Sequence, residues 1–197
     1  MPLRRGGLNR GYDVVWAIDL SKSMARTAGG LGASKLKVSS GIIAMASSRI
    51  LSRPGSRVGI VGFHDRAFPI LPSTDNYRRV LDSLTLLRAV GEGSAGGDGI
   101  VESVKMLRGS GRERHVVMVS DGGFNTGIPI PLATIYALNM GVRLHFIIVG
   151  GQPGDVVKRS VEEAASRTGG RVYIVAGEGD DMKAAVGVAR AAGGSQA

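Results

Sequence analysis

The chain has 197 residues, no cysteine, 43% hydrophobic and 21% charged residues, the profile of one folded domain with a sizeable core and not of a disordered or fibrous chain. Absence of cysteine excludes a disulfide framework, a thiol nucleophile, thiolate zinc and cysteine-held iron–sulfur clusters. The net charge of +9 admits nucleic acid, anionic lipid or an acidic protein surface as partners without choosing among them.

Residues 1–11 form a basic arm containing Arg4, Arg5 and Arg10. The apolar run from Val14 to Ile18 is too short for a signal segment or a membrane span, so the expected protein is cytoplasmic and has no membrane span. Residues 12–190 read as the domain, and AAGGSQA at 191–197 reads as a flexible tail.

In chain order, β-branched apolar runs recur at Val14, Val58, Val116, Leu144 and Val172. Their apolarity is continuous, which predicts strands covered on both faces. Helical spacings lie between them: Leu36, Ile43, Ala46, Ile50, then Tyr77, Val80, Leu81, Leu84, then Ile100, Val104, Leu107. Further patterns start at Leu132, Val157 and Met182. This alternation predicts one α/β domain, a mainly parallel sheet sandwiched by helices. AFPIL from Ala67 follows the Val58 run across Asp65 and Arg66, predicting a hairpin and one antiparallel strand. Pro69 places that strand at an edge. The segment from Arg26 to Ala33 reads as lid or linker.

Ligands of open parallel sheets bind beyond the carboxyl ends of strands, which directs attention to three loops. Asp19, Ser21 and Ser23 follow the first strand, and their alternating oxygens suit a small hard cation; capping of the turn and helix that follow explains the same residues equally well. Asp121 follows the fourth strand and precedes a glycine pair. Two carboxylates at one sheet edge repel unless a cation joins them. Ser94 lies in the glycine-rich loop GEGSAGGDGI, ahead of a helix expected to start near Asp98, as a neutral oxygen ligand or simply a polar turn residue.

Taken in order, YDVVWAIDLSKSM, RVGIVGFHDRAF, GSAGGDGI, HVVMVSDGGFNTG and RTGGRVYIV resemble the von Willebrand factor type A domain and its metal-ion-dependent adhesion site, from about Tyr12 to Arg190. The resemblance implies a Rossmann-like three-layer α/β/α sandwich, a mainly parallel six-stranded sheet with one antiparallel edge strand. It implies that Ser21 and Ser23 bind Mg²⁺ directly, with Mn²⁺ or Ca²⁺ as alternatives, and that Ser94 stands where the family usually has threonine. Asp19 and Asp121 would act directly or through water, and the open coordination position would take an Asp or Glu carboxylate from a partner protein. The look is similar to prokaryotic members that work beside MoxR-type AAA+ ATPases, which makes such an ATPase one expected partner.

Other motifs lack their context. GEGSAG at 91–96 matches GxGxxG but follows a helical pattern instead of a first strand. Ser34 to Lys37 matches SxxK without its companion motifs and reads as a helix start. His64, His115 and His145 occur singly and read as packing residues, while Asp65 at a strand end is placed to touch the top loops. No general base accompanies Asp19, so a metal-dependent phosphohydrolase ranks last and a non-enzymatic module first.

Arginines precede the parallel strands at Arg10, Arg57, Arg112, Arg114, Arg143 and Arg171, and Arg49, Arg53 and Arg108 close helices on the same lower edge. They offset helix dipoles, or they form a face for a polyanion, which makes a basic nucleic-acid-associated scaffold the alternative reading.

Overall fold

The computed structural model describes residues 11–30 and 32–192, so Arg4, Arg5 and Arg10 of the basic arm and residues 193–197 of the tail lie outside the described residues. Six strands form one sheet: β1 (Tyr12–Asp19), β2 (Arg57–Phe63), β3 (Ala67–Thr74), β4 (Glu113–Ser120), β5 (Arg143–Val149) and β6 (Val172–Val175). Their spatial order is β3-β2-β1-β4-β5-β6. All neighbours are parallel except β2 and β3. The expected hairpin is present, with His64 joining Asp65 and Arg66 in the turn and Pro69 on the edge strand.

Parallel returns require crossovers, and helices supply them: α1 (Lys35–Leu51), α2 (Tyr77–Thr85), α3 (Gly96–Met106), α4 (Ile130–Asn139), α5 (Asp155–Thr168) and α6 (Asp180–Ala191). α3 begins at Gly96, two residues ahead of the start expected near Asp98, and its first two residues, Gly96 and Gly97, pack where side chains would collide. A Cβ on Gly97 would sit 1.9 Å from the carbonyl oxygen of Ile128.

β1 is buried along its whole length, which explains the unbroken apolarity from Val14 to Ile18. Val14, Trp16 and Ile18 face Ile42, Ile43 and Ala46 of α1 together with α2 and α6. Val15 and Ala17 join the opposite core beside α3, α4 and α5. Each large side chain removed from water contributes about 1.5–3 kcal/mol. The Trp16 indole keeps its hydrogen bond inside this core, donating to Ser47 Oγ at 3.0 Å.

The lower edge is more tightly paired than a row of arginines suggests. Asp13, 1% exposed, accepts from Arg57 Nε and Nη2, both at 3.1 Å, and lies 3.7 Å from Arg112. Burial acts to raise its pKa, but these cations and Ser110 hold it below the usual carboxylate value. Arg143 pairs with Glu113 at 3.3 Å. The helix-closing Arg53 donates to the Tyr12 hydroxyl at 3.0 Å.

Above this edge, His115 and His145 are not the solitary packing residues that the chain order implies. Register between β4 and β5 stacks their rings, with His115 Nδ1 3.1 Å from His145 Nε2.

Candidate metal centre

β1 is flanked by β2 on one side and β4 on the other, so the crossovers leave its carboxyl end in opposite directions and open a crevice there. Asp19 ends β1 and Ser120 ends β4 at this crevice. After Asp19 the backbone stays extended at Ser21, which bridges to Gly91, and then tightens into a 3₁₀ turn at Lys22–Ala25. The extended stretch directs alternating hydroxyls inward. The excursion that follows is held down at both ends by a Thr27–Ser34 bridge and a buried Ala28.

Asp19 is fully buried. Its Oδ1 accepts from the Ser21 amide at 2.9 Å, and its Oδ2 accepts from Ser94 Oγ at 2.8 Å and Ser120 Oγ at 2.7 Å. Burial raises its pKa despite these hydroxyl and amide donors, and among the described residues no cation pairs with it. Ser21 Oγ and Ser23 Oγ lie 3.1 Å apart.

Asp121 is placed by the tight turn that Gly122 allows, at φ 86°. Its Oδ1 accepts from the Gly123 amide at 3.1 Å and its Oδ2 from Lys35 Nζ at 2.8 Å. Burial works to raise its pKa, yet Lys35, the Ser23 hydroxyl and the Gly123 amide outweigh it and lower the pKa. The five sequence-derived residues, Asp19, Ser21, Ser23, Ser94 and Asp121, thus belong to one connected polar network.

The glycine loop bearing Ser94 is fastened from two sides. Asp65 accepts from the Gly93 amide at 2.7 Å and the Glu92 amide at 3.3 Å, making the top-loop contact expected of its position. Asn125 Oδ1 accepts from the Ser94 amide at 2.9 Å. Lys22 and Glu92 form an exposed ion pair across the rim.

Sequence reading missed Ser120 and Lys35. Ser120 had a signal, a hydroxyl at the end of an apolar run directly before the candidate acid. Lys35 was hidden inside SxxK, which is indeed a helix start with Ser34 accepting from the Lys37 amide at 3.3 Å. Its stem packs against Gly150, where an added Cβ would lie 2.6 Å from Lys35 Cε.

The donor chemistry fits a hard cation: serine hydroxyls face a buried Asp19 that has no counter-charge among the described residues, and the Ser21–Ser23 pair leads on to the Asp121 carboxylate. Among the described residues no cluster of three or more His, Cys, Asp or Glu offers a different kind of metal site.

The chain is similar in fold to BatB from Bacteroides thetaiotaomicron, at 18% identity over 92% of this chain and 97% of that chain, with a TM-score of 0.76. It is also similar to an aerotolerance-related membrane protein from Bacteroides fragilis bearing multiple mutations to serine, at 19% identity, covering 89% and 96%, TM-score 0.74. The vWF domain of the type V pili tip protein Mfa5 from Porphyromonas gingivalis matches at 13% identity, covering 93% and 95%, TM-score 0.71. Among the described residues no helix is long and apolar enough to cross a membrane. A comparison with curated protein sequences returns no match. The family model for the von Willebrand factor type A domain matches residues 14–124, more than half of the chain, from within β1 to the loop after β4, and the chain belongs to that family.

Proposed function

We propose that this domain is a non-enzymatic, Mg²⁺-dependent protein-interaction module that captures a partner carboxylate at the crevice above β1 and β4. Type A domains often serve as protein-interaction modules, which supports the general reading. The observation that carries the specific one is Asp19: a fully buried carboxylate, without an ion pair among the described residues, that accepts hydrogen bonds from three separate segments, two of them through serine hydroxyls. Ser21, Ser23 and Ser94 would supply neutral oxygens, and Asp19 and Asp121 would bind directly or through water. A Mg²⁺ held there supplies Lewis acidity toward an anionic ligand. The protein's own contribution is to fix those oxygens and to leave the crevice open to a partner side chain. A MoxR-type AAA+ ATPase is one partner class this reading accommodates.

Mg²⁺ in millimolar excess should raise the melting temperature over that in EDTA, because a ligand of the folded state stabilises it by mass action. Asp19→Ala should abolish the increment. An Asp19→Ala protein that melts with the same Mg²⁺ increment as wild type would sink the assignment.

A further inference from the structure

The loop that carries Asp121 continues beyond the metal edge. Three residues on, Phe124 enters the wall of a cleft of ≈ 380 Å³, which Ile128 and Ile130 extend and which Val156 and Val157 of α5 close from the far side. Asn125 belongs to the same wall, and its side chain accepts the hydrogen bond from the Ser94 amide. The cleft therefore opens one hydrogen bond away from a candidate cation ligand.

Its surroundings are apolar and exposed. Val156 at the mouth is 74% exposed, and Leu132 and Ile135, in the first and second turns of α4, are 59% and 43% exposed. α4 carries no charged residue at all. An apolar cleft with an exposed apolar side chain at its mouth is the kind of surface that marks an interaction site, whereas isolated exposed hydrophobics do not.

We propose that the partner is an acidic protein segment that binds at two points, its carboxylate at the cation and a large apolar side chain in the cleft between the 124–130 loop and α5. This inference rests on the metal reading above. Shared construction supports it: one loop supplies Asp121 to the oxygen network and Phe124 to the cleft, and Asn125 ties the cleft wall to Ser94. The spacing follows from chain geometry. Three residues span at most ~10 Å when extended, so an extended partner carries its apolar side chain two or three residues from its Asp or Glu. A second copy of this chain fits less well, because a stable dimer needs ~800 Å² from each partner and these few partly exposed side chains fall short of it. The uncharged surface of α4 does not fit a polyanion.

The test uses four short peptides, each with one Asp and one Leu, the Leu placed two or three residues before or after the Asp, and a control with Ser replacing Leu. Binding is followed through the backbone amide signals of ¹⁵N-labelled protein in Mg²⁺ and in EDTA. In Mg²⁺ at least one Leu peptide should bind about tenfold or more tighter than the control and shift the amides of 124–130 and 156–160. Val156→Ser, which removes the apolar contact without adding charge, should remove most of that advantage and leave control binding unchanged; Val156 is exposed in the first turn of α5 and the smaller side chain opens no buried cavity there. Equal Mg²⁺-dependent binding of Leu and Ser peptides overturns the cleft assignment and leaves the metal reading standing. Leu-peptide binding that persists in EDTA overturns the two-point mode. Failure of every peptide to bind in Mg²⁺ overturns the inference, and the melting experiment then reports separately on the metal site. Self-association that Val156→Ser abolishes would assign the face to a second copy instead.

Discussion

At the scale of single residues, the centre depends on how a buried carboxylate is kept among neutral donors. Ser120 donates to Asp19 from the strand next door, and its removal leaves part of a buried charge unsatisfied. Ser120→Ala should lower unfolding free energy by about 1–2 kcal/mol in EDTA, read from urea titration; an unchanged midpoint would mean that Ser94 and the Ser21 amide suffice. Lys35 acts in the other direction. Its ammonium, 2.8 Å from Asp121, competes with a cation for the same carboxylate, so Lys35→Met should tighten Mg²⁺ affinity on the order of tenfold by calorimetry. Weaker binding would instead identify Lys35 as the group that orients Asp121. The serines and acids were legible in the sequence because three of them alternate within five residues, Asp121 follows a strand end and Ser94 lies in a glycine-rich loop ahead of a helix. Lys35 was not, because nothing local indicates that the start of α1 reaches the loop after β4.

Elements add pairings that local pattern leaves undetermined. The β4–β5 register joins His115 to His145, and their outward nitrogens, His115 Nε2 and His145 Nδ1, have no hydrogen-bond partner among the described residues. Burial depresses both pKa values, to about 3 for His115, helped by His145 and Arg143, and to about 4 for His145, helped by Arg143 and Arg171. Both folded-state values lie below the unfolded value of about 6.5. The fold therefore favours neutral rings, and its stability is fully present above that value and declines as pH falls toward 4. The loss by pH 4 should be on the order of 3 kcal/mol for each ring in urea unfolding, and a His115→Gln, His145→Gln double variant should flatten this part of the profile. A wild-type profile flat between pH 7 and 4 would remove the pair from any role in acid sensitivity. Strand apolarity identified β4 and β5, but only their relative register brings the two imidazoles together. In the same way, the apolar spacing of α3 marked a helix, while the close approach of the Ile128 backbone that leaves no room for a side chain at Gly97 is a tertiary contact.

Across the whole molecule, charge and candidate metal chemistry occupy opposite edges of the sheet. The crevice lies at the carboxyl ends of the parallel strands, whereas Arg57, Arg112 and Arg143 lie at their amino ends, partly neutralised by Asp13 and Glu113. EDTA and salt should therefore separate partners by edge. Capture of an acidic protein at the crevice should disappear with EDTA. Attachment of duplex nucleic acid to the arginine edge, the alternative that net charge admits, should weaken steeply with salt and survive EDTA. A protein partner retained unchanged in EDTA would move the functional surface away from the crevice.

The sequence by itself determined the alternation of strands and helices, the antiparallel edge strand and the oxygen-bearing loops, because hydrophobic periodicity and turn chemistry are local along the chain. Only the tertiary structure decided that Ser120 donates to Asp19, that Lys35 holds Asp121, that the two histidines stack, and that an apolar cleft adjoins Ser94. These contacts span from 30 to 101 residues of chain. They depend on strand order and on how each crossover returns, which a one-dimensional pattern does not encode.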